Sequence, residues 1–175
     1  MKTLEDQLSQ YAAYHRDRRN IATHFIGIPL IVLGITTLLS RPVFTVGGAS
    51  VSMAVVVALA SAAYYLRLNV RFGLLMAALL ALSVWFGAWA GTHSTSTWLS
   101  IGIGCFVVGW VFQFVGHFWE GRKPAFMDDL MGLIIGPLFV VAEALFAIGL
   151  LPHLREAVEA RAGKTRSGPA DAARA

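Results

Sequence analysis

Apolar runs of membrane-spanning length alternate along this chain with short polar links. The first element is amphipathic. Leu4, Leu8, Tyr11, Ala12 and His15 recur at spacings of three and four, which predicts a helix within residues 3–20. Thr3 is placed to cap it, and Glu5 and Asp6 complement the dipole of its first turn. Arg16, Arg18 and Arg19 at its end predict an interfacial helix that lies on the membrane. Residues 21–39 are the first predicted span, close to the roughly 20 residues that hydrocarbon requires. Pro29 in its early part predicts a kink or a late helix start.

Arg41-Pro42 and Gly47-Gly48 mark a loop, and residues 49–66 follow as the second span. Arg67, Asn69 and Arg71 form a polar turn before the third span, 72–90. An uncharged turn, 91–97, leads to the fourth span, 98–119, whose glycines permit close helix packing in lipid. A polar link carrying Arg122, Lys123, Asp128 and Asp129 precedes a last apolar stretch, 130–151. Gly136-Pro137 is expected to break that stretch, so it re-enters the membrane or crosses as a fifth span. The fold class is therefore all-α: a polytopic membrane helical bundle of four transmembrane helices, an N-terminal interfacial helix and this C-terminal segment. Residues 1–152 read as one membrane-embedded catalytic domain, and 153–175 as a polar tail expected to be disordered.

Composition supports the membrane reading. Hydrophobic residues make up 57% and charged residues 14% of the chain, more apolar surface than a soluble domain of 175 residues can cover. The formal charge of +4 comes from basic residues flanking the apolar runs, so it marks topology and not a nucleic-acid partner. With the N-terminus inside, Arg67, Arg71, Arg122 and Lys123 fall on the same cytoplasmic side, as the positive-inside rule requires. Cys105 is the only cysteine, which excludes internal disulfides, cysteine-ligated zinc and iron–sulfur clusters.

This topology puts three of the five histidines, His15, His24 and His117, at one depth near the cytoplasmic face. Gln113, His117 and Glu120 are four and three residues apart and share a helix face, as do Asn20 and His24. His15 and His24, nine apart, would face opposite ways on one continuous helix. They meet only if the chain turns between Arg16 and Ile21, so a shared site predicts a break there. Neutral imidazoles ligate iron, zinc and copper, and amides or carboxylates orient them. Three with open positions suit ferrous iron. Glu143, a carboxylate inside an apolar run, is expected at the site because an unpaired charge there is costly. The residues alone leave other readings open: a haem protein with His24 and His117 as axial ligands, or a membrane scaffold or transporter whose histidines only reach toward the interface.

The segments YHRDRRNIATHFIGIP (14–29), QFVGHFWEGRKPA (113–125) and GPLFVVAE (136–143) resemble the membrane-embedded 2-hydroxy fatty acid dioxygenases, relatives of a fungal enzyme of phytosphingosine breakdown. The likeness spans residues from about 4 to 151. It implies an iron(II)-dependent oxidoreductase of fatty acid α-oxidation. Such an enzyme cleaves a 2-hydroxy fatty acid with O2 to the acid one carbon shorter and CO2. It also implies His15, His24 and His117 as iron ligands, Glu120 as a further ligand or their partner, and Asn20 and Gln113 as polar site residues. Lys123, or an arginine of the first motif such as Arg19, would hold the substrate carboxylate, with Glu143 beside it. The Ala/Arg-rich tail suggests a bacterial inner membrane. Oligomeric state is left open, a homo-oligomer included.

Overall fold

Thr3 starts the first helix through a capping box. Its hydroxyl accepts from the Asp6 N–H, and the Asp6 carboxylate accepts from the Thr3 N–H. The computed structural model describes residues 2–167. Its helices are α1 (Leu4–Ala12), α2 (Arg18–Leu38), α3 (Met53–Leu68), α4 (Val70–Gly91), α5 (Thr95–Glu120), α6 (Met131–Ala147) and α7 (Pro152–Ala162). The chain divides into two compact units, Pro29–Trp110 and the remainder, with boundaries inside α2 and α5.

In the Pro29–Trp110 unit, the predicted loop holds a short hairpin. β1 (Val43–Val46) pairs antiparallel with β2 (Ala49–Ser52), Val43 opposite Ser52. Gly47 and Gly48, with φ of 58° and 85°, supply the two positive-φ positions of the tight turn. The second predicted span therefore loses its first four residues to β2, and Ser52 caps α3 through the Val55 N–H. At 16 residues, α3 falls short of the length of α4 and α5. The Arg41 guanidinium lies 4.4 Å over the Trp98 ring and donates to the Thr95 hydroxyl and the His93 carbonyl, fixing the α4–α5 turn. Leu59, Leu74, Leu82 and Trp85 are each more than half exposed, as the lipid-facing side of a bundle requires.

Three helices, α2, α4 and α5, are long and apolar enough to cross a membrane, and a fourth is reached if α6 and α7 count as one bent span. This is a membrane bundle. α2 runs through Pro29 without a late start, since packing in a bundle tolerates one missing backbone donor.

In the other unit, α1 packs on α6 and α7. The break expected at Gly136-Pro137 is absent there, because α6 carries Pro137 internally. Gly136 serves close approach instead: a Cβ there would lie 3.0 Å from the Tyr11 hydroxyl. The bend comes later. Gly149 and Leu151 adopt positive φ, Pro152 starts α7, and the axis turns by 119°. α7 replaces the disorder expected from His153 onward, while residues 168–175 lie outside the described residues.

Small residues set the helix spacing in the Pro29–Trp110 unit. A Cβ on Gly34 would sit 2.7 Å from the Phe106 backbone nitrogen, and one on Gly87 2.6 Å from the Thr36 carbonyl oxygen. Gly34→Ala and Gly87→Ala should each destabilise the detergent-solubilised protein by about 1–3 kcal/mol in thermal unfolding. Gly104→Ala, with nothing within 4 Å, should be neutral or mildly stabilising.

Candidate metal centre

α1 ends at Ala12 and α2 begins at Arg18, so the chain turns across residues 13–17, close to the break that a shared site requires. The turn is held from both sides. The His15 N–H donates to the Ala12 carbonyl, and Asp17 caps α2 by accepting from the Arg19 N–H at 2.9 Å. On α2 the buried positions Asn20, Thr23, His24 and Ile28 form one face. On α5 the buried positions Gln113, Gly116, His117 and Glu120 do the same. The faces come so close at Gly116 that a Cβ there would clash with the Asn20 amide oxygen and the Thr23 hydroxyl.

His15, His24 and His117 converge. Their ring centroids lie 4.5, 4.9 and 5.2 Å apart, one nitrogen from each falls within 4.8 Å of the others, and all three rings are buried. Nδ1 of His15 contacts the Tyr11 carbonyl at 2.7 Å, and Nδ1 of His24 contacts the Asn20 carbonyl at 2.9 Å. Each Nδ1 therefore carries the proton and donates, which leaves Nε2 as a bare lone pair. Neither Nε2 has a partner, and neither does Nδ1 of His117. Burial, reinforced by neighbouring His24, holds the His15 imidazole well below its usual pKa and keeps it neutral. Three desolvated acceptors facing one another are unfavourable without a cation between them. The donor set fits a divalent transition metal, and carbonyl-oriented imidazoles are the usual support of such ions. Tyr11 stacks on His15 at 4.2 Å, and Phe139 of α6 closes against both rings.

Glu120 lies beside this cluster and does not join it. One carboxylate oxygen accepts from the Arg16 N–H, the Asp17 N–H and the Asn20 amide at 2.8–3.0 Å; the other accepts from Arg166 at 2.7 Å. It thus neutralises the N-terminus of α2 and fixes the turn that carries His15. Asn20 keeps a buried, unpartnered amide oxygen, and Gln113 a buried, unpartnered amide nitrogen. Glu143 faces Arg16 at 3.6 Å. Lys123 and Arg19 are drawn elsewhere: Lys123 pairs with Asp128 at 2.5 Å and Arg19 with Asp17 at 2.7 Å.

Sequence reasoning missed three contributors. Tyr11 was legible in principle, four residues before His15 on the same face. Arg16, taken as a surface topology charge, is buried and donates to the Ala12, His15 and Gly163 carbonyls. Arg166 had no local signal at all.

Residues 1–148 match the model of the family described as 2-hydroxy-palmitic acid dioxygenase Mpo1-like. The chain belongs to the Mpo1-like family. It is 32% identical over 158 residues to the 2-hydroxy-palmitic acid dioxygenase MPO1 of Saccharomyces cerevisiae, an alignment covering 89% of this chain and 87% of that protein. No solved structure matches it. In this Mpo1-like chain all three clustered histidines, and Glu120 with them, fall inside the matched residues.

Removing Glu120 strands four donors around the turn. Glu120→Ala should lower unfolding free energy by about 3–5 kcal/mol, read from denaturant or thermal unfolding in detergent. A change below about 1 kcal/mol would show that the carboxylate does not organise the turn.

Proposed function

We propose that this protein is an iron(II)-dependent dioxygenase that cleaves 2-hydroxy fatty acids, with His15, His24 and His117 holding the metal. The observation that carries the reading is the set of three buried imidazoles whose facing nitrogens lack partners, in a chain of the Mpo1-like family. The overall change balances as 2-hydroxy acid plus O2 giving the one-carbon-shorter acid, CO2 and water. The bond between the carboxyl carbon and the hydroxyl-bearing carbon breaks, and O2 is the only oxidant. A ferrous ion supplies the one-electron chemistry that lets O2 react with a closed-shell acid.

The chain's own side chains do the rest. Tyr11 and Asn20 carbonyls hold His15 and His24 in the tautomer that presents Nε2. The free amide nitrogen of Gln113 can donate to a substrate oxygen, and the Asn20 amide oxygen can accept from the 2-hydroxyl. Phe139 and Tyr11 exclude water from one side. A cleft of about 370 Å³ lined by Ile21, Phe25, Phe146, Arg18, Arg155 and Glu143 combines apolar wall and positive charge, as an acyl acid needs; none of the three histidines lines it, and Glu143, facing Arg16 beside His15, links it to them. With Lys123 and Arg19 already paired to carboxylates, Arg18 is the better candidate for the substrate carboxylate. The flanking charges support a site near the cytoplasmic face of the membrane.

The haem reading has no support in this geometry. A porphyrin between His24 and His117 would have to pass the His15 ring, 4.5 and 4.9 Å from theirs. A scaffold or transporter leaves the three bare nitrogens without a purpose.

Protein purified anaerobically in detergent and loaded with ferrous iron should consume O2 on addition of a 2-hydroxy fatty acid and release the acid one carbon shorter. His24→Ala and His117→Ala should each cut this turnover at least about 100-fold and lose stoichiometric iron. Bound iron without turnover would overturn the substrate, and wild-type protein without bound metal would overturn the centre.

A further inference from the structure

The segment after α7 returns to the turn that carries His15. Gly163 accepts from the Arg16 guanidinium at 2.8 Å, the Arg166 N–H donates to the Arg16 carbonyl at 2.7 Å, and the Arg18 N–H donates to the Arg166 carbonyl at 3.0 Å. Residue 166 thus pairs with Asp17 as a short parallel bridge. Its side chain completes the arrangement. The guanidinium donates at 2.7 Å to the Glu120 oxygen that the α2 N-terminus leaves over, and the Glu120 side chain is 1% exposed. Gly163 and Arg166 lie beyond the 1–148 that match the family.

The physical consequence is specific. Three donors from the turn and α2 converge on one oxygen of Glu120, and the Arg166 guanidinium is the cation paired with the other. A buried carboxylate keeps its charge cheaply only when a cation and a full set of donors surround it. Without that cation, the buried Glu120 charge is drawn toward water, and its grip on residues 16, 17 and 20 loosens. His15 precedes Arg16, and the Asn20 carbonyl orients His24, so two of the three metal-facing imidazoles hang on this one carboxylate.

We propose that Arg166 is a positioning residue for the metal centre, acting through Glu120 to hold the turn that presents His15 and the carbonyl that orients His24. It touches neither metal nor substrate. The segment after α7 is accordingly a strap across the turn that carries His15, and α7 itself is fastened at α1, where Arg161 pairs with Asp6 at 2.7 Å. This inference rests on the metal reading of the histidine cluster, and its test separates the two.

The measurement is Co²⁺ titration of full-length protein in detergent, followed by the d–d absorption of the bound ion. The chains are wild type, Arg166→Ala, Arg166→Lys, the double variant Arg166→Ala/Glu120→Gln, and Arg161→Ala as control. Arg166→Ala should bind Co²⁺ about 10- to 100-fold more weakly than wild type. Arg166→Lys, which keeps the charge, should recover most of that loss. So should the double variant, because a neutral amide needs no cation and its carbonyl oxygen can still serve the three donors. Arg161→Ala breaks the fastening of α7 to α1 without touching Glu120 and should stay within about twofold of wild type. If Arg166→Ala loses its helicity by circular dichroism, the lysine and double variants carry the test, since both must bind. Wild-type affinity in Arg166→Ala, or a loss that neither partner variant relieves, overturns the proposal. A wild-type chain that takes up no Co²⁺ overturns the metal centre itself.

Discussion

Glu120, at the last position of α5, sets its carboxylate against the N–H groups that open α2, and the imidazole cluster depends on that contact. One oxygen gathers the Arg16 and Asp17 N–H groups of the turn before α2 and the Asn20 amide; the other takes the C-terminal arginine. The contact does what no single helix could do. It brings a histidine from before a break, one from within a span and one from the end of a second span to one point. The carboxylate is stabilised by the positive end of the α2 dipole and by Arg166 together, which permits its near-complete burial.

The same economy of polar groups shapes the rest of the unit. A helix bundle in lipid has to satisfy its polar groups internally, and here nearly every buried one serves the cluster or its frame. Thr23 returns its hydroxyl to the Asn20 carbonyl, Asn20 donates to Glu120, and Arg16 spans three backbone carbonyls. The exceptions are informative. Besides the Ser9 hydroxyl and one Arg16 nitrogen, which faces Glu143, the described buried side-chain polar atoms of this unit without a hydrogen-bond partner are imidazole nitrogens of His15, His24 and His117, the Asn20 oxygen and the Gln113 nitrogen. Those five gather at the histidine cluster or beside it, where a metal and a polar substrate head can be held.

Much of this was legible before any coordinates. Histidine spacing across a polar-to-apolar boundary required a turn between Arg16 and Ile21; the structure sets it slightly earlier, across residues 13–17, with His15 inside it and α2 begun by Arg18. Gln113, His117 and Glu120 share a face because three- and four-residue spacing in a helix allows little else. What stayed hidden depended on long-range pairing. Lys123 and Arg19 looked available for a substrate carboxylate because their partners, Asp128 and Asp17, differ in no local feature from solvated acids. The hairpin before α3 escaped because β2 reads as the start of an apolar run, with only Gly47-Gly48 to mark the turn. Arg166 sits in a stretch whose composition suggests disorder, yet it closes an ion pair with a residue 46 positions away. Local pattern cannot show which end of a chain returns to which buried charge.

His15, His24 and His117 are proposed to surround one iron ion. X-ray absorption at the iron edge tests it most directly, on ferrous-loaded protein in detergent. Outer-shell scattering from three imidazole rings is expected, reduced to two in His15→Ala protein that still retains iron. A spectrum with at most one imidazole, or one that His15→Ala leaves unchanged, would contradict it.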